Sequence, residues 1–289
     1  MDSRDGFIIR SMKRQELDLA LGWAAGEGWN PGLHDADAFY DFDPGGYLVG
    51  LLSGVPVGCI SAVAYGSKFG FLGLYIVKPE HRGKGFGTEL WHQAMRRLGS
   101  RNVGLDGVVG RQRNYERKGF VLAHRNIRYE LAGGEKMAMP DNNVVDLRQY
   151  SIGAVAEYEK GLFPATRARF LEKWLNPPQG IALGYVDDDD DSSDKLAGYG
   201  VIRKCARGFK IGPLFADTQR GARKLLSGLA GHAAGEPVYI DIPEANRAAV
   251  DLAKEAGMNK VFETARMYNA SKPDLDISRI YGMTTLELG

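Results

Sequence analysis

Apolar and polar positions along this chain follow two periods, and each switch between them marks a boundary between elements. Residues 7–10 read as a first strand, and residues 13–25 carry Leu17, Leu19, Ala20, Leu21 and Trp23 at helical spacing. The glycines, proline and asparagine of GEGWNPGLHDADAF mark a loop before a further helical turn. Strands are expected at residues 47–52 and 56–65, joined by the hairpin signal Ser53-Gly54, and at residues 69–77. Pro79 closes the last of these because it has no amide to give to a ladder. Residues 88–98 form an amphipathic helix, 103–106 a short strand, 112–118 a helix stopped by Gly119, and 127–131 a final strand.

The pattern then restarts. A helix is expected over 153–162, strands over 181–186, 196–203 and 209–216, a helix over 220–229, a strand over 238–241, and a helix over 245–256 ended by Gly257. Val57-Gly58-Cys59 aligns with Ala197-Gly198-Tyr199, Phe71-Leu72-Gly73 with Lys210-Ile211-Gly212, and Gly119-Phe120 with Gly257-Met258. The spacing from Gly73 to Gly119 and that from Gly212 to Gly257 differ by one residue, which argues for an internal duplication. Two domains of mixed α/β class (α+β) follow, at 1–131 and 146–289, each a mixed central sheet flanked by helices, with a turn-rich linker at 132–145. The acidic run 187–191 reads as a solvated hairpin tip, since it lacks the glycine and terminal glutamate of a calcium loop.

Composition removes several classes of function. Lys plus Arg number 37 against 36 Asp plus Glu, so no global field draws the chain to nucleic acid or to an anionic membrane. No stretch of eighteen apolar residues occurs and the first residues do not read as a signal peptide, so a cytoplasmic protein is expected. Cys59 and Cys205 lie in apolar strand patterns without the paired spacing of a metal or redox motif, and no metal is expected.

The candidate chemistry starts at Arg82-Gly83-Lys84-Gly85-Phe86-Gly87-Thr88, where a strand gives way to a helix. Amides exposed at a helix start, together with the helix dipole, hold anions. The three glycines allow positive φ and close approach of backbone to phosphate, and Arg82 and Lys84 add charge. A Walker A ending is missing, and the preceding strand does not begin a dinucleotide fingerprint.

The passage LYIVKPEHRGKGFGTELWHQAM resembles the acetyl-CoA signature of the GNAT acetyltransferase superfamily, Arg/Gln-x-x-Gly-x-Gly/Ala after a strand and Val-x-Pro. Tyr115-Glu116-Arg117-Lys118-Gly119-Phe120 is similar to the family's Tyr-x-x-x-Gly-Phe. The resemblance implies acetyl-CoA as co-substrate and Tyr115 as the acid that protonates the departing thiolate, a role a neutral phenol can fill. It also implies that Tyr75, Ile76 and Val77 lie on a strand splayed from its neighbour, where free backbone groups pair with pantetheine. Two departures stand out: Val108 where an asparagine is frequent, and Phe71 where some members carry a glutamate base. Glu27, His34, Asp35 and Asp106 are the base candidates, with Asp106 favoured, and Glu27, Trp29, Asn30 and Asp35 are expected at the acceptor pocket.

In the second half the matching turn, Phe215 to Ala222, is shorter and short of glycines and contains Asp217, and Ala253 stands at the place of Tyr115. It looks like a degenerate GNAT repeat that serves as a roof over the acceptor site or as a surface for assembly, a homodimer included. Three functions are open at this level: acetylation of a small primary amine, acetylation of a protein lysine or N-terminus, and non-catalytic sensing of acyl-CoA.

Overall fold

The computed structural model describes residues 6–133, 142–187 and 195–289; most of the linker and all of the acidic run beyond Asp187 lie outside them. The first half runs β1 (Phe7–Ser11), α1 (Arg14–Gly26), α2 (Asp35–Phe42), β2 (Tyr47–Leu52), β3 (Val55–Tyr65), β4 (Phe69–Val77), α3 (Phe86–Leu98), β5 (Asn102–Val108), α4 (Gln112–Glu116) and β6 (Val121–Leu131). The second half runs β7 (Val144–Asp146), α5 (Ile152–Tyr158), α6 (Ala168–Trp174), β8 (Ile181–Val186), β9 (Leu196–Lys204), β10 (Phe209–Ala216), α7 (Gln219–His232), β11 (Val238–Pro243), α8 (Arg247–Glu255), β12 (Asn259–Tyr268) and β13 (Ile280–Gly282).

The two halves share one mixed sheet of thirteen strands, in the order β1-β2-β3-β4-β5-β12-β6-β11-β10-β9-β8-β7, with β13 on β10. Strand β12 of the second half is hydrogen-bonded to β5 of the first, and β6 of the first to β11 of the second. β6 and β12 also pair with each other, so each half completes its sheet with a strand of the other. Burial follows from this exchange: α3 covers a first-half core containing Leu90, Trp91 and Leu98, and α7 and α8 cover a second-half core containing Leu225, Leu229 and Leu252. Helices α1, α2, α5 and α6 close a third core to which both halves contribute, with Phe39 stacked on Trp174 at 6.0 Å and Tyr65 edge-on to Phe163 at 4.9 Å.

Neither β12 nor β13 stands out in the apolar pattern. In NKVFETARMY a buried Arg266 takes a core position, which breaks the alternation that marks a strand. Helix α3 begins two residues earlier than the periodicity indicates, at Phe86, whose ring is buried against Phe7 at 4.7 Å.

Two departures from regular strand geometry position the site. Parallel pairing of β4 with β5 ends at Leu72↔Leu105; next, Leu74 takes φ 45° and the register against β3 shifts between Cys59 and Ser61. A single extra residue bends β4 away from β5 and leaves Gly73 to Val77 without that neighbour. The second half has the same opening after Ile211↔Ile240, but there β13 fills it, pairing Leu214 with Gly282 and Phe215 with Ile280.

Candidate active site

The opening between β4 and β5 leads into a cavity of about 860 Å³. One wall is the β4 backbone from Gly73 to Val77, and one end is the loop Arg82, Gly83, Gly85, Phe86, Gly87 and Thr88. Gly83 and Gly85 take φ 77° and 87°, the left-handed region that favours glycine, and Gly85 caps α3 from there. Gly87, expected to need positive φ as well, lies inside α3; it is glycine because a Cβ there would stand 2.8 Å from the Tyr75 hydroxyl. Among the described residues no backbone or side-chain acceptor takes the amides of Gly83 to Gly87, which leaves them to a ligand. Lys84 turns away, its Nζ donating to the Glu80 carbonyl at 2.8 Å, and does not line the cavity.

Tyr115 stands across the opening. Its ring lies against Trp91 at 5.9 Å, and Gly107 on β5 makes the room: a Cβ at that glycine would come within 2.5 Å of the ring. Burial pushes the phenol up to about 12, with Tyr75 contributing in the same direction, so the hydroxyl is protonated at neutral pH. Arg111, Arg117 and Lys118 line the mouth around it, and the Lys118 Nζ sits 4.8 Å from the Trp91 ring centroid. These three cations were not singled out in the sequence, although their density around Tyr115 was a signal.

The acceptor-side residues divide. Glu27 and Trp29 line the cavity, and Glu27 accepts from the Arg82 guanidinium, which also donates to the Val77 carbonyl at 2.8 Å. Asn30 lies elsewhere, with its side chain bonded to the backbone of Arg207 at 2.9 and 3.1 Å. Asp35 is buried in an ion pair with Arg203 at 2.8 Å and accepts from the Gly32 amide, and His34 is exposed beside it. Asp106 borders the cavity, but both its oxygens are bound: Arg266 donates at 3.0 and 2.6 Å and Asn126 at 2.8 Å. A carboxylate held this way is committed to three donors and stabilised as the anion, which makes it a poor proton acceptor.

Four residues of the second half complete the lining: Phe262 and Thr264 from β12, and Leu286 and Glu287 from the segment after β13. Among the described residues of the second half no matching site is open. Thr218 caps α7 by accepting from the Gly221 amide at 3.1 Å, and Asp217 is held by Tyr158 and Arg279, each at 2.8 Å. With β13 in the opening, its anion site and its cleft are both filled from within the chain.

Residues 155–282 match the model of the acetyltransferase (GNAT) domain, and residues 15–120 that of the acetyltransferase (GNAT) family. Over 290 residues, covering all of this chain and 97% of its relative, 31% are identical to Holothin acyltransferase of Pseudoalteromonas sp. (strain SANK 73390). The chain belongs to the GNAT acetyltransferase family. It is an acyltransferase of the two-lobed form. A crystal structure from Pyrococcus horikoshii, described as a candidate acetyltransferase, superimposes with TM-score 0.82 at 26% identity, covering 98% of this chain and 96% of that one. A tandem GNAT protein from the clavulanic acid biosynthesis pathway shares the fold at TM-score 0.63 and 14% identity, covering 92% of this chain and 99% of that one. Among the described residues no group of three or more His, Cys, Asp or Glu is placed to hold a metal, and no helix is long and apolar enough to cross a membrane.

Proposed function

We propose that the protein transfers acetyl from acetyl-CoA to a small primary amine by direct attack, with Tyr115 as general acid. The observation that carries this reading is the convergence on one cavity of three things: the free amides of the Gly83–Gly87 loop, the Tyr115 phenol, and a wall supplied by the second half. In the assignment, the loop amides and Arg82 take the pyrophosphate, with Arg111, Arg117 and Lys118 as further phosphate partners. The amides freed where β4 leaves β5 take pantetheine and the thioester oxygen. Phe262, Thr264, Leu286 and Glu287 close the acceptor end, which favours a small molecule over a polypeptide lying in an open groove. Holothin, which appears in the name of the curated relative, is the first acceptor to try.

The test is thiol release with holothin, amino acids, polyamines, amino sugars and lysine peptides, each with acetyl-CoA. Turnover of a small amine and none of the peptides is expected; peptide turnover alone would move the assignment to a protein acetyltransferase. Tyr115→Phe is expected to lower kcat about a hundredfold while leaving acetyl-CoA affinity nearly unchanged. Because burial holds the phenol at about 12, the acid stays protonated and kcat should show no loss from this group below roughly pH 11.

A further inference from the structure

We infer that Glu287 is the proton acceptor for the attacking amine, presented to the cavity by a segment that the closed cleft of the second half clamps in place. This rests on the reading that the acceptor is a small amine.

Three carboxylates line the cavity, Glu27, Asp106 and Glu287. Arg82 engages the first and Arg266 the second. Among the described residues no hydrogen bond or ion pair reaches the Glu287 carboxylate, although the residue is 3% exposed and borders the cavity. A buried carboxylate with free lone pairs facing a cavity is what deprotonation of a bound ammonium requires. Burial holds it above the usual carboxylate range; Lys210 on β10 and Arg128 on β6 oppose that shift, and Asp35 on α2 and Asp241 on β11 add to it. Arg203 on β9 faces the same group.

The placement of Glu287 is overdetermined. Its backbone lies on Gly73 at the point where β4 turns from β5: a Cβ at that glycine would stand 2.1 Å from the Glu287 carbonyl oxygen. Thr285 Oγ1 accepts from the Leu288 amide at 2.8 Å, and the Tyr65 hydroxyl donates to the Leu288 carbonyl at 2.9 Å. Upstream, β13 lies in the second half's opening, the Met283 amide donates to the Asp241 carbonyl at 2.8 Å, and Asn246 Nδ2 donates to the Ile280 carbonyl at 3.0 Å. The cleft that in the first half is open for a cofactor is used in the second to anchor this segment. The degenerate repeat thereby acquires a catalytic purpose without chemistry of its own.

The protons balance. An ammonium loses one proton to Glu287, and the freed lone pair attacks the thioester carbonyl. Collapse of the tetrahedral intermediate breaks the C–S bond, and the thiolate takes the Tyr115 proton. The second proton leaving nitrogen restores Tyr115, and Glu287 releases its proton to solvent.

Glu287→Gln keeps shape and removes the base. With holothin, or the amine turned over fastest in the panel, kcat/KM at pH 7 should fall about a hundredfold, with acetyl-CoA affinity by calorimetry and thermal stability near those of the parent. In the parent, activity falls as pH drops through the raised value of Glu287, because only the carboxylate accepts a proton. In Glu287→Gln that limb should give way to one set by the ionisation of the amine itself, so the deficit should narrow toward high pH, where the amine is already free. Gly282→Val, which crowds Ile240 and Leu214 outside the cavity lining, should lower kcat, and the double variant should be no slower than Glu287→Gln alone. Parental turnover and pH profile in Glu287→Gln would overturn the role of Glu287 and leave the amine reading standing; a parent that acetylates no amine while binding acetyl-CoA would overturn both.

Discussion

Gly85→Val is expected to raise the dissociation constant for acetyl-CoA by about a thousandfold. At φ 87° the glycine holds a conformation that costs an L-residue roughly 1–2 kcal/mol, and a β-branched one more. It also caps α3, so its geometry aims the Phe86 and Gly87 amides. The loop can keep that geometry under strain or relax and lose its aim. Relaxation forfeits at least two hydrogen bonds to a charged diphosphate, each about 1.5–3 kcal/mol, which sums to roughly the thousandfold loss. Gly83→Ala is the control: its φ is 77°, but a Cβ there meets nothing within 4 Å, so only the conformational cost applies and the loss should stay near tenfold. Isothermal titration with acetyl-CoA measures both. Near-parental affinity in Gly85→Val would mean that the loop does not hold the cofactor.

The loop was legible in the sequence because its chemistry is local. A run of glycines between a strand and a helix declares its backbone conformation, and Tyr115 sits at a fixed offset from Gly119-Phe120. The acceptor side was not legible, for a physical reason. Asp106, Asp35 and Asn30 are polar residues beside a presumed pocket, and sequence cannot tell a free carboxylate from one already bound to an arginine 160 or 168 positions away. Glu287 went unnoticed because β12 and β13, which bring its segment to the site, interrupt rather than repeat the apolar pattern. Duplication could be read from matched glycines. The exchange of β6 and β12 could not, since either half would show the same pattern with its own strand or its neighbour's.

That exchange ties Arg266 to stability. It lies directly opposite Asp106 in the β12–β5 register and binds it with both donors, the side chains 3% and 0% exposed. Arg128 on β6 meets Asp241 on β11 in the same way, so each half's fifth-strand aspartate is neutralised by an arginine of the other half's exchanged strand. Arg266→Met would leave the buried Asp106 charged and bonded, among the described residues, only to Asn126, and should cost about 3–5 kcal/mol in denaturant unfolding. Burial already raises Asp106, and without Arg266 it rises further. A carboxyl whose folded value exceeds its unfolded one is relieved by protonation, so the penalty should shrink as pH falls through the raised value toward 4. Adding Asp106→Leu removes the orphaned charge and should recover most of the stability, because an apolar pair often replaces a buried ion pair at little cost. A penalty under about 1 kcal/mol for Arg266→Met, flat with pH, would mean that water or another cation reaches Asp106 and that the exchanged strands are held by backbone pairing and apolar contacts alone.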